Sequence, residues 1–168
     1  MIKQAYLSVS SHLEELSTVQ QWFQTRISLA AEESPWINEQ FDQLNLALAE
    51  GFTNAVRHAH SDLPSSTPIE IELIVQPKQV EIRIFDQGDP FDPNSLREPK
   101  PGSLREGGYG WFLLRRLADQ VSYDCVAMDS QRADAPDKQL ENRSSFDTDI
   151  EAEMQRNCLR IVKTSKIV

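Results

Sequence analysis

The sequence predicts an α+β fold, on three observations. Apolar residues recur at helical spacing through Leu13, Leu16, Val19, Phe23 and Ile27, and again through Phe41, Leu44, Leu48, Phe52, Ala55 and Ala59. Apolar and polar residues alternate from Val80 to Phe85, where Ile82 and Ile84 face one way and Glu81 and Arg83 the other. Two such runs, 69–75 and 79–86, are separated only by Gln76, Pro77 and Lys78, which reads as a hairpin. The length, 168 residues, suits one domain with a core of its own, so residues 1–168 are expected to form a single unit.

In chain order, Ala5, Leu7 and Val9 alternate with polar neighbours and predict an edge strand over 3–9. Ser10 or Ser11, with Glu14 close behind, can cap a helix that runs to about Ala31 and is stopped by Pro35. A second helix is expected over 36–60, then a polar, proline-bearing loop from Asp62 to Pro68, then the hairpin. Residues 90–106 show neither period and hold several prolines, which predicts a long loop. A helix over Tyr109–Asp119 follows, with strands through Val121, Tyr123, Cys125 and Ala127 and over Leu159–Lys163. Between those strands, residues 128–156 carry eight acidic side chains against four basic ones and read as a polar, acidic insertion that leaves the sheet edge.

Three short motifs carry chemistry. In EGFTNAVRHAH, Glu50, Asn54 and His58 lie four residues apart, and each step of four advances only about 40° around an α-helix, so the three share a stripe beside the apolar one. In IFDQGDPFDP, Asp86 ends a strand and Gly88 lets the backbone turn; an Asx turn alone would explain this pair. In EGGYGWFLLRRLAD, Gly107, Gly108 and Gly110 open a helix, where unpaired backbone N–H groups and the helix dipole favour phosphate. No Walker A sequence occurs, which argues against a P-loop fold.

Taken in order, these motifs resemble the N, G1 and G2 boxes of the histidine-kinase-like (GHKL) ATPase superfamily, over about residues 1–126 and 157–168. Small size and the PFDP variant of the second box look most like the anti-sigma-factor serine kinases of that superfamily. The resemblance implies a two-layer sandwich with a mixed, mostly antiparallel sheet packed on helices, and it makes residues 90–106 an ATP lid. It also implies ATP and Mg²⁺ as cofactors, with Asn54 as the metal ligand and Glu50 as the general base that activates a serine on a protein substrate. Asp86 would accept a hydrogen bond from the adenine amine, selecting ATP over GTP, with Gly88 admitting the base. Gly107, Gly108 and Gly110 would contact phosphates, and Arg105, or Arg97, would reach the γ-phosphate from the lid. His58 could contact a phosphate or merely pack. Trp111 stands where the third box commonly has leucine, which alters the packing of the lid helix or supplies an aromatic wall.

The implied partners are a sigma factor and a STAS-type anti-sigma antagonist, with the chain as a homodimer. An ATP-gated binding module with little or no kinase activity is the alternative. A net charge of -9 and a pI near 4.8 argue against direct contact with nucleic acid. No run of about 18 apolar residues occurs and the N-terminus lacks a signal-peptide pattern, so a cytoplasmic protein without a membrane span is expected. Cys125 and Cys158 show no metal or disulfide spacing and are expected to be free, buried thiols near one another.

Overall fold

A computed structural model describes residues 3–97, 109–128 and 155–166. The alternating N-terminal run forms strand β1, Lys3–Ser10, and the chain then enters a short 3-10 turn, Leu13–Glu15, ahead of helix α1, Leu16–Ala31. Neither Ser10 nor Ser11 caps this helix. The residue before the turn is His12, with no capping side-chain bond, while the Ser11 N–H is engaged by the carbonyls of Ser65 and Thr67. Pro35 ends one helix and starts the next, because its fixed φ suits a first turn and its missing N–H costs nothing there. Helix α2 spans Trp36–Asn54.

Beyond Asn54 the expected helix to residue 60 continues only as a π turn, Ala55–Ala59, closed by the His60 N–H to the Ala55 carbonyl at 2.9 Å. More residues per turn are used there, so the even four-residue stripe through Glu50 and Asn54 does not extend to His58. The hairpin strands are β2, Pro68–Gln76, and β3, Gln79–Asp86. A 3-10 turn, Pro93–Ser95, gives the start of the long loop some order, with the Asp92 carboxylate accepting from the Asn94 N–H. Helix α3, Tyr109–Leu117, and strands β4, Gln120–Ala127, and β5, Gln155–Thr164, complete the described chain. Most of the expected lid and insertion, residues 98–108 and 129–154, lie outside the described residues.

The five strands form one sheet in the order β1-β2-β3-β5-β4, and all four pairings are antiparallel, so the α+β class is as expected. Its helix-facing rows are apolar: Ile69, Ile71, Leu73 and Val75 on β2, Val80, Ile82 and Ile84 on β3, Leu159 and Ile161 on β5. Against them α1 contributes Val19, Phe23 and Ile27, and α2 contributes Ile37, Leu44, Leu48 and Phe52. Gly51 lets α2 approach this close. A Cβ there would stand 2.6 Å from Ile84 Cδ1 and 2.9 Å from Leu159 Cδ2.

The other face is polar. Glu81 receives Arg160 and Arg83, and Glu72 receives Arg83, Gln4 and Tyr6. Both carboxylates are buried beneath the stems of their partners. Register also separates the cysteines. Cys125 stands opposite Asn157 and Cys158 opposite Asp124, so the pleat sends the two thiols to opposite faces. Cys158 is buried, but Cys125 is exposed, contrary to the expectation of two buried neighbours.

Candidate functional site

At the end of β3 the helix-facing row changes from apolar to polar. Ile84 lies beside Leu159 and Tyr123 across the sheet, and one pleat further Asp86 lies beside Asn157. Asp86 is 3% exposed. A carboxylate this deep is tolerated only when its oxygens are hydrogen-bonded. Its Oδ1 accepts from the Gly88 N–H at 3.0 Å and from Asn157 Nδ2 at 2.8 Å, and its Oδ2 accepts from the Tyr123 hydroxyl at 3.0 Å. The same Asn157 amide donates to the Gly88 carbonyl at 2.8 Å.

The Asx turn exists, therefore, and it uses only one oxygen. Two carboxylate oxygens offer about four acceptor positions, so Oδ2 keeps one for a further donor. Burial and the neighbouring Asp86 charge push the Tyr123 hydroxyl above its ordinary range, which keeps its proton in place as the donor. Tyr123 also joins this carboxylate to a cluster of three aromatic rings. Phe91 packs on Tyr123 with ring centres 4.5 Å apart and meets Trp111 edge-on at 6.2 Å.

The first and third motifs meet next to this turn. A Cβ at Gly110 would lie 2.2 Å from Glu50 Oε1 and 2.8 Å from Asn54 Nδ2, so the first turn of α3 rests directly on that acid and amide. A side chain there would fit only if the ends of Glu50 and Asn54 moved aside. Glu50 and Asn54 are both partly exposed, as groups that meet a ligand must be, and the amide can rotate to present its oxygen. One neutral oxygen beside a carboxylate is a hard donor set, and it fits Mg²⁺ held mainly by nucleotide phosphates. Gly88 packs just as tightly on the π turn: a Cβ there would lie 2.0 Å from the Ala59 carbonyl oxygen.

Glu50, Asn54, Asp86, Gly88 and Gly110 thus occupy two adjoining clusters. His58 is exposed on the π turn and has no described bond to either of them. Arg105, Gly107 and Gly108 lie outside the described residues. Sequence reasoning did not single out Asn157, the Tyr123 hydroxyl, Phe91 or His60. Asn157 is 71 positions from Asp86 and becomes its neighbour only through the β3–β5 pairing. Nothing in the sequence sets it apart, because the final strand also carries Gln155, Arg156, Arg160 and Lys163.

A sheet covered on one face by helices, with an acid and an amide on one helix beneath the glycine turn of another and a buried aspartate at a strand end, defines a class of nucleotide-binding α+β domain. The chain belongs to the histidine kinase-like ATPase domain family, whose sequence model matches residues 9–130. It is 36% identical over 91 residues to the serine-protein kinase RsbW of Oceanobacillus iheyensis, covering 49% of this chain and 57% of that relative. With the serine-protein kinase RsbW of Staphylococcus aureus (strain bovine RF122) it shares 30% identity over 92 residues, 50% of this chain and 58% of the relative. The chain spans a little over half the length of these curated relatives. Among the described residues, no helix is long and apolar enough to cross a membrane.

Proposed function

We propose that the chain is an ATP-dependent anti-sigma factor and protein serine kinase, which binds a sigma factor and phosphorylates a serine of a STAS-type antagonist. The observation that carries this reading is the seating of Gly110 on Glu50 and Asn54, the acid and the amide that it makes the general base and the metal ligand. Similarity to serine-protein kinases and membership of an ATPase family support it.

In this reading the free position on Asp86 Oδ2 accepts the exocyclic amine of adenine, and Phe91, Tyr123 and Trp111 supply the aromatic wall. Asn54 would hold Mg²⁺, which would neutralise charge on the nucleotide's phosphates. Glu50 accepts the proton of the attacking serine hydroxyl as its oxygen bonds to the γ-phosphorus and the bond to the β-phosphate oxygen breaks. The backbone around Gly107, Gly108 and Gly110 contacts phosphates, and Arg105 approaches the γ-phosphate from the lid. The segments 90–106 and 128–156 are the lid and an acidic insertion of a single domain, and a homodimer in the cytoplasm is the proposed state.

Incubation with γ-labelled ATP and a candidate antagonist tests the assignment. Label on a partner serine, lost in Glu50→Ala while ATP binding is kept, is the expected result. ATP binding with neither transfer nor hydrolysis would instead describe an ATP-gated binding module, and phosphate release alone would describe a hydrolase.

A further inference from the structure

His60 is the one buried histidine among the described residues, 3% exposed, and none of the site chemistry above uses it. Its Nε2 accepts a hydrogen bond from the backbone N–H of Gln87 at 2.8 Å. An imidazole nitrogen that accepts carries no proton, so His60 is neutral with its proton on Nδ1, and that Nδ1 has no hydrogen-bond partner among the described residues. Gln87 is the residue between Asp86 and Gly88, just past the last β3–β5 pair, so its N–H falls beyond the sheet ladder.

The turn at 86–88 is held from two sides. From the sheet, Asn157 grips the Asp86 carboxylate and the Gly88 carbonyl. From the helix, among the described residues, His60 alone supplies a side-chain bond, next to the tight approach of Gly88 to Ala59. The π turn places that side chain. His60 closes the turn through its own N–H to Ala55, and a continuous α-helix would rotate residue 60 by about 100°, one residue's step, away from Gln87.

We propose that His60 is a positioning residue of the nucleotide pocket, whose unprotonated Nε2 latches the Asp86–Gly88 turn to the end of α2 and keeps the base-recognising carboxylate in register with Glu50 and Asn54. This rests on the nucleotide-site reading above. An imidazole protonated on both nitrogens would set one donor against another at Gln87 and open the latch. The desolvation of His60 lowers its pKa and favours the accepting form, although the Asp86 charge acts against this.

Two variants of the full chain separate a latch from mere burial. In His60→Gln the side-chain oxygen reaches the place of Nε2 and can accept from Gln87; in His60→Asn the amide is one carbon short and cannot. Both are buried amides that differ by one methylene, so a role in packing alone predicts a modest loss of stability in His60→Asn without faster exchange confined to Gln87. Amide hydrogen exchange at Gln87 and the Kd of a fluorescent ATP analogue are the readouts. His60→Gln should keep the Kd within about threefold of wild type, whereas His60→Asn should raise both the Kd and the Gln87 exchange rate by about tenfold or more. Equal behaviour of the two variants in both readouts would overturn the latch. If the wild type binds no ATP analogue while exchange at Gln87 still separates the variants, the nucleotide reading fails and the latch stands.

Discussion

Asp86 divides its two oxygens between structure and recognition, and that division makes its amide variant informative. In Asp86→Asn the remaining carbonyl can still accept from Gly88 and Asn157, and the new NH₂ can donate to the Tyr123 oxygen, so the turn keeps most of its bonds. The position left for the adenine amine then presents a donor to a donor. ATP affinity should fall by about tenfold or more, and the preference for ATP over GTP should narrow, since a guanine carbonyl is now matched. Competition of the two nucleotides for a fluorescent analogue measures both, and an unchanged ratio would remove Asp86 from base recognition. Gly110→Ala probes the other cluster. Its methyl would meet only the ends of the Glu50 and Asn54 side chains, which can swing aside, and alanine is worth up to about 1 kcal/mol over glycine inside a helix. The variant should fold at least as well as wild type and yet lose phosphotransfer, because the base and the metal ligand are the groups displaced. A thermal melt paired with a transfer assay shows whether stability and activity separate in this way.

Helix α2 works as a ruler laid across the sheet. Gly51 sits between Glu50 and Asn54 on one turn, so the contact that brings the helix onto Ile84 and Leu159 also sets the depth of the site. Gly51→Val would drive three heavy atoms into that contact. It should cost about 2 kcal/mol or more and lower Tm by roughly 4–8 °C. ATP binding should weaken with it, as α2 is pushed away from Asp86, and binding preserved at the lower Tm would argue that the helix does not set the pocket. Elements of this kind were legible in the chain. Helical periods located α1 and α2, alternation located β2 and β3, and glycine with proline marked the turns. What was not legible is where the backbone departs from its period. AVRHA looks as α-helical as the residues before it, yet Ala55–Ala59 is a π turn, since the close packing of Gly88 on Ala59 is a tertiary fact. For the same reason the sequence sets His58 beside Glu50 and Asn54 and gives no sign that His60 reaches the turn. Strand β5 starts four residues before the expected Leu159 because its opening, Gln155 to Cys158, is polar and gains its partners only beside β3 and β4.

For the whole molecule, the groups that folding perturbs define a window of stability against pH. On the acid side, burial lowers His60 from its ordinary 6.5, against the pull of Asp86, so the unfolded chain takes up a proton there before the folded one does. Stability is therefore complete above 6.5 and declines as pH falls from 6.5 toward the lower folded value. Glu81 adds a second loss at lower pH. Burial alone would raise it, but hydrogen bonds from Arg160 and Arg83 outweigh that and hold it below 4.5, so its contribution is present above 4.5 and disappears beneath it. On the alkaline side, burial pushes the Cys158 thiol from 9.0 up to about 11, and Tyr123 is raised as well. An unfolded chain ionises Cys158 from 9.0, whereas the folded chain must first reach about 11, so stability is lost across that interval, by about 3 kcal/mol at most. Urea midpoints should form a plateau between about pH 6.5 and 9. His60→Gln should remove the decline just below 6.5 and leave the drop below 4.5, because Glu81 is untouched. Cys158→Ala should remove the decline between about pH 9 and 10, leave the part above 10 that Tyr123 contributes, and leave the acid limb as it is. A wild-type profile that is level from pH 6.5 to 5 would mean that His60 titrates alike in the folded and unfolded chains. That result would contradict its burial as a neutral acceptor at Gln87.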